Sequence, residues 1–278
     1  MKILLALVLS IFASFAFAET KLKIGIDPLM PYLGKNVKGE WEGFLAEIFN
    51  TVGKNSNVKF QFIEIPLPRQ VQSLQKREVD FLILPGFMVR YLPDVSIVSA
   101  ALGVSFAGAL TTLPEDEVII DFEDLAGKSI LLTYMGPETD NLRKGLAEKA
   151  NGTKKTSSAT PGGNKNTEKA TEIVEISGYD ITERMMLMMN DQRADVALGD
   201  YNILRYSLLR AKLKNIRLVP TSLTGFSPII LVSWKGHKDF PLVDRQMKAW
   251  FKKARKNGEL QKMLNKYNLE DWQNLLSH

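Results

Sequence analysis

The stretch from Lys76 to Arg90 constrains the fold more than any other part of the chain. Four large apolar residues in a row, Phe81-Leu82-Ile83-Leu84, follow a polar, helix-compatible segment and stop at Pro85-Gly86. A strand with one solvated face would alternate apolar and polar residues. An unbroken run bounded this way predicts a strand covered on both faces, as in a parallel sheet flanked by helices. Arg90 then falls just beyond the strand's carboxyl end, where open α/β sheets form their ligand crevices. Its planar, five-donor head suits an acidic group, although an ordinary surface arginine on a βα loop fits the same position. A second segment echoes the first. Residues 191–201 again give a polar helix end, an aspartate (Asp195 standing where Asp80 stood), a short apolar run and a glycine, this time ending on Asp200. Two such units predict two lobes of similar build.

The rest of the chain fits that plan. Leu22–Ile26 reads as a first strand, running into a proline-broken loop, Asp27-Pro28-Leu29-Met30-Pro31-Tyr32. Phe44, Leu45, Ile48, Phe49 and Val52 share one helical face. Val58–Glu64 alternates as a strand, and Pro68–Lys76 is a short amphipathic helix. This β-α-β-α-β order predicts a doubly wound α/β lobe. Val95–Ser99 and Ser105–Thr112 are further strands, with a crossing into another lobe near residues 109–113 and a return near 219–223. Ser129–Thr133 leads into the loop Tyr134-Met135-Gly136-Pro137-Glu138-Thr139-Asp140. Its proline and two acids suit a helix start. Residues 151–169 hold no large apolar residue and read as a mobile surface insertion. Met185, Met186, Met188 and Met189 suit adaptable core packing, with a promiscuous ligand surface as the alternative. Near the end, Val243, Met247, Trp250 and Ala254 form an apolar stripe flanked by lysines, which predicts a core-packed helix with a solvated basic face.

Several function classes are excluded or disfavoured by composition. Residues 1–18 carry Lys2, a nearly continuous apolar run and Ala16-Phe17-Ala18, the pattern of a cleavable signal peptide. Its roughly 15 apolar residues fall short of the ~20 that span a bilayer. After cleavage the product is expected to be soluble, exported and not inserted in the membrane. No cysteine is present, so thiolate nucleophiles, disulfides and thiolate metal sites are ruled out. Only His237 and His278 could serve a histidine-based triad or metal site, a poor basis for either. The formal charge of +5 rests largely on the closing basic helix. Nucleic-acid binding is not expected, since the chain is exported and carries no recognised motif.

These features, in this order, resemble a known family. The first strand with its Pro-Tyr loop, Gly39-x-x-x-Gly43-Phe44, the Val79-Asp80 unit, Asp124-Leu125-Ala126-Gly127-Lys128, the Arg193-Ala194-Asp195-Val196 unit and the closing helices match the periplasmic solute-binding proteins of the amino-acid ABC-transporter type. The resemblance covers residues 21–268. It implies an α/β fold of two doubly wound lobes joined by two crossing strands, the type II periplasmic binding fold. Lobe 1 would hold residues 22–109 and 222–278, and lobe 2 residues 110–221. It implies a ligand-binding set in which Arg90 clamps a carboxylate, Asp200 takes an amino group and Tyr32 stacks on the ligand, with Phe87, Glu138 and Thr139 on the adjoining loops.

The chain departs from the family in three places. The loop Gly86-Phe87-Met88-Val89-Arg90 is shorter and lacks the family's threonine. Gly136-Pro137-Glu138-Thr139 replaces a Gly-Thr or Gly-Ser loop. Leu45 stands where an aspartate is usual. Glu138 and Asp200 together suit a cationic or amine-rich ligand. The expected function is binding of a small polar solute by hinge closure, by a monomer without cofactor, for delivery to a membrane permease. A periplasmic adapter signalling to a sensor partner is the alternative. An enzyme is the third reading, resting on Gly103-Val104-Ser105-Phe106-Ala107-Gly108, one residue too long for a nucleophile elbow, or on Glu138 and Asp200 as acid and base.

Overall fold

The computed structural model describes residues 20–133, 137–152, 171–176 and 180–272. The predicted signal peptide and most of the 151–169 insertion lie outside these residues. Strand β1 (Thr20–Ile26) leads through a turn at Leu29–Leu33 and the short pair β2 (Gly34–Lys35) and β3 (Trp41–Glu42) into helix α1 (Phe44–Ser56). There follow β4 (Val58–Glu64), α2 (Leu67–Gln75) and β5 (Phe81–Pro85). β1 lies between β4 and β5 and runs parallel to both. β5 is covered on both faces, as its apolar run predicts. Phe81 and Ile83 enter the core under α1, while Leu82 and Leu84 enter the one under α2.

β6 (Val95–Ile97) and β7 (Gly103–Ser105) complete this sheet through a late strand, β13 (Ser227–Trp234), which is antiparallel to β5, β6 and β7. A second sheet has the order β10-β9-β11-β8-β12, built from β8 (Ala107–Thr111), β9 (Ser129–Thr133), β10 (Glu172–Ile176), β11 (Val196–Asp200) and β12 (Arg217–Pro220). Its helices are α3 (Pro137–Gly152), α4 (Ile181–Asn190) and α5 (Tyr201–Ala211). Met185, Met186 and Met189 are buried there against Leu110 and Leu131, in accord with the core-packing reading. The closing helices α6 (Phe240–Lys256) and α7 (Glu259–Tyr267) return to the first lobe and share its core with α1.

The two aspartates of the repeated sequence motif do the same work in each lobe. Asp80 donates its backbone N–H to the Lys23 carbonyl (2.9 Å), and its carboxylate accepts the Lys23 N–H (2.7 Å). Asp195 treats Ser129 alike, at 3.0 and 2.8 Å. Each carboxylate closes the start of a parallel ladder, where the strand's own backbone offers no acceptor. His237 is part of the first arrangement. Its Nδ1 accepts the Asp239 N–H (3.1 Å), which leaves Nε2 to donate to Asp80 (3.2 Å).

One boundary differs from the sequence expectation. Ser105–Thr112 reads as a single strand, but β7 ends at Ser105 in the first sheet and β8 begins at Ala107 in the second. The chain changes sheets at Phe106, and Ala109 and Leu110 are fully buried in the second lobe. The return runs through residues 221–226. No residue in Ser105-Phe106-Ala107 breaks an extended backbone, so periodicity sees one strand where two sheets share it.

Phe44 anchors the first-lobe core. It is fully buried and meets Trp272 and Tyr267 edge-on at 5.9 and 6.3 Å. Phe44→Ala is expected to lower unfolding stability by about 3–5 kcal/mol, read as a shift of the denaturant midpoint.

Candidate functional site

The polar side chains converge where the chain changes sheets. Asp200 is the last residue of β11 and the N-cap of α5, and its carboxylate accepts the N–H groups of Asn202 (3.0 Å) and Ile203 (3.1 Å). An aspartate favours this position because its side chain satisfies amides that the first helical turn leaves open. Ser105 and the Phe106 N–H also donate to it from the first crossing. The side chain is partly buried. Burial raises its pKa from the ordinary carboxylate value to about 6 despite these four donors. Near neutral pH it therefore carries a negative charge in a poorly solvated place, which a cation would stabilise.

Tyr32 reaches the same spot from the first lobe. Its hydroxyl donates to the Val104 carbonyl (2.7 Å) and accepts from the Asn202 side-chain amide (2.8 Å). Burial, and then the nearby Asp200 charge, push its pKa well up. The sequence reading treats Tyr32 as a stacking platform. The structure instead encloses the ring in the first-lobe core, 6 % exposed, so it presents its hydroxyl and not its face. The enclosure follows from the loop: Phe44 and Leu45 donate their N–H groups to the Pro31 and Tyr32 carbonyls, tying the segment to the start of α1.

The remaining predicted residues lie on other elements. Phe87 and Arg90 share a single 3-10 turn after β5. Phe87 is half-buried against the core under α2, and its N–H donates to the Ser227 hydroxyl (3.1 Å). Arg90 is exposed, with Nε donating to the Phe87 carbonyl (2.8 Å). Thr139 is fully buried, its hydroxyl donating to the Thr133 carbonyl (3.2 Å) to tie α3 to the end of β9. That hydroxyl is turned inward, where the sequence reading gives it to a ligand. The Glu138 side chain lies outside the described residues. The structure thus brings Tyr32 and Asp200 together, and Arg90 with Phe87 on a separate turn.

Other residues of the site escape sequence reasoning. Asn202 is 2 % exposed and its Oδ1 has no hydrogen-bond partner. Phe106 stacks on Tyr201 at 4.9 Å and meets Phe226, which is 52 % exposed, at 5.2 Å. The two crossings run side by side, with the Ala107 N–H donating to the Thr224 hydroxyl (3.0 Å) and the Thr221 N–H to the Ala107 carbonyl (3.2 Å). At the end of β1, Asp27 accepts the Leu67 N–H (3.1 Å), and burial raises its pKa, helped by Glu64. The sequence signal was limited to Asn202, two places past the strand-ending aspartate. Among the described residues no group of three or more histidines and carboxylates is placed to hold a metal. Nor is any described helix long and apolar enough to cross a membrane.

Solved structures share this fold. An ancestral arginine-binding protein bound to arginine superposes with a TM-score of 0.65, covering 89% of this chain and 97% of that one at 14% identity. The chain has the type II periplasmic binding fold. An ancestral amino-acid-binding protein described as a precursor of cyclohexadienyl dehydratase also has a TM-score of 0.65, at 17% identity over 90% of this chain and 96% of that one. In sequence, the histidine-binding periplasmic protein of Salmonella typhimurium is 35% identical over 69 residues, 24% of this chain. The match spans 26% of the length of that relative. It supports the resemblance to amino-acid-binding periplasmic proteins stated from the motifs. No family model matches the chain.

Proposed function

We propose that this protein is an exported periplasmic binding protein that takes a small amine-bearing solute of the amino-acid class between its lobes, as a monomer, and delivers it to an ABC-type permease. The observation that carries the reading is Asp200: a partly buried carboxylate at the meeting point of both lobes, ionised near neutral pH at a cost that a bound ammonium group would offset. Tyr201, Phe106 and Phe226 supply an apolar wall beside it. Arg90 takes the solute's carboxylate by exchanging its bond to the Phe87 carbonyl, and Glu138 adds negative charge at the start of α3. The adjacent crossings at Phe106 and residues 221–226 form a hinge, in keeping with closure by rigid-body rotation of two lobes. Binding and release suffice for this role, without a chemical step. The amino-acid-binding names of the similar proteins support the ligand class.

Titration calorimetry of the exported chain against amino acids, polyamines and small organic acids tests the reading. Binding of at least one amine-bearing solute in the micromolar range or tighter is the expected result. Heat from organic acids alone would overturn it.

A further inference from the structure

Helix α6 carries a row of charge that its packing does not explain. Its buried side, including Val243, Met247, Trp250 and Ala254, closes the first-lobe core. The opposite side presents Arg245, Lys248, Lys252, Lys253 and Lys256, all exposed. Lys248, Lys252 and Lys256 recur every four residues and so align along one edge of the helix. None of the five forms an ion pair with another described residue. The charges that could break up the row are engaged elsewhere. Asp244 accepts the Ser99 N–H at 2.6 Å, and both carboxylate oxygens of Asp271 accept from Arg255, at 2.9 and 2.8 Å.

Helix stability does not account for the row. Like charges four residues apart repel. The first turn has no acidic residue. Arg245 and Lys248 sit in the N-terminal half, where cations oppose the helix dipole, and only Lys253 and Lys256 of the five gain from the last turn. The composition of the face separates the possible anionic partners. Four of the five cations are lysines, which act as hydrated point charges and not as the bidentate forks that specific recognition favours. Exposed large apolar side chains lie on other elements. Protein interfaces are anchored by aromatics and arginine and are poor in lysine, while single-stranded nucleic acids need aromatic stacking platforms. A diffuse anionic layer asks only for aligned charge.

We propose that the outer face of α6 docks the first lobe on a membrane surface rich in anionic phospholipid headgroups. The attachment is electrostatic, leaves the chain outside the hydrocarbon, and is released by salt. If the function proposed above holds, its effect is to keep the binding protein within reach of its membrane-embedded partner.

The test is co-sedimentation of the exported chain with vesicles of phosphatidylglycerol and phosphatidylcholine, compared with pure phosphatidylcholine, from about 0.02 to about 0.5 M salt. The wild-type protein is expected to bind only the anionic vesicles and to come off as salt rises. Lys248→Glu, Lys252→Glu and Lys256→Glu together are expected to cut partitioning at least ~10-fold. A control triple of equal charge change, Lys38→Glu, Lys144→Glu and Lys214→Glu, is expected to keep most of it. Both triples must show wild-type circular dichroism and thermal midpoint, since all six side chains are exposed. No binding to anionic vesicles, an equal loss in both triples, or binding of soluble polyglutamate in place of vesicles would each overturn the proposal.

Discussion

Asp200→Asn is expected to weaken solute binding by at least about 30-fold while making the ligand-free protein more stable at pH 7. The first effect follows from removing one charge of a partly buried pair, which costs about 2 kcal/mol or more. The second follows from linkage. Burial raises the carboxyl pKa from 3.8 in the unfolded chain to about 6 in the folded one. Between these values the folded protein holds a proton that the unfolded chain has lost, so stability falls as pH rises through the window and stays lower above it. The loss is at most about 3 kcal/mol. Asparagine carries no charge and caps α5 about as well. The variant should therefore melt at a higher temperature than wild type at pH 7, and at a similar one at pH 4. Thermal denaturation at the two pH values, with calorimetry, separates a functional carboxylate from a structural one: a purely structural cap would leave solute binding unaltered on this change.

Gly43→Ala is expected to be among the most damaging single substitutions in the first lobe. Gly43 has φ +118°, a region that residues with a Cβ rarely adopt, and an added Cβ would stand 2.7 Å from the Tyr32 carbonyl oxygen and 3.0 Å from the Leu33 Cα. Both obstacles are backbone and cannot swing aside. The same Tyr32 carbonyl accepts the Leu45 N–H at 2.8 Å, so any shift loosens the junction between the loop and α1. Backbone strain and displacement together are expected to cost about 3 kcal/mol or more. Weaker solute binding should follow, because the Tyr32 hydroxyl would move away from Val104 and Asn202. A denaturant midpoint within error of wild type would show that the loop has slack the structure does not suggest.

The sheets were legible in the chain because burial writes itself into side-chain type. The run Phe81–Leu84, bounded by a polar segment and Pro85-Gly86, fits a strand covered twice, and both cores are there to cover it. The echo at Asp80 and Asp195 was legible as a repeat, though its reason is structural: each carboxylate completes a parallel ladder. The site was harder to read. Asp200 ends its strand as the pattern suggests. Tyr32 sits in a loop that reads as open and is in fact drawn into the core by α1. Phe106 lies in an extended stretch whose change of sheet has no local sequence signal, so neither its position beside Asp200 nor the contact with Phe226 could be inferred. Asn202 matters through residues about 100 and 170 positions away along the chain, at Val104 and Tyr32. Pairings of that kind are set by the fold, and a pass along the sequence cannot see them.

The most direct test of the central claim is the pH dependence of solute affinity, using a ligand with no group titrating between about pH 4.5 and 8. If Asp200 holds the solute's ammonium group as a carboxylate, the dissociation constant should fall by about tenfold per pH unit up to about pH 6 and level off above it. Asp200→Asn should bind weakly with no such slope. An affinity that is flat across this range in the wild-type protein, or a slope that survives in Asp200→Asn, would contradict the account.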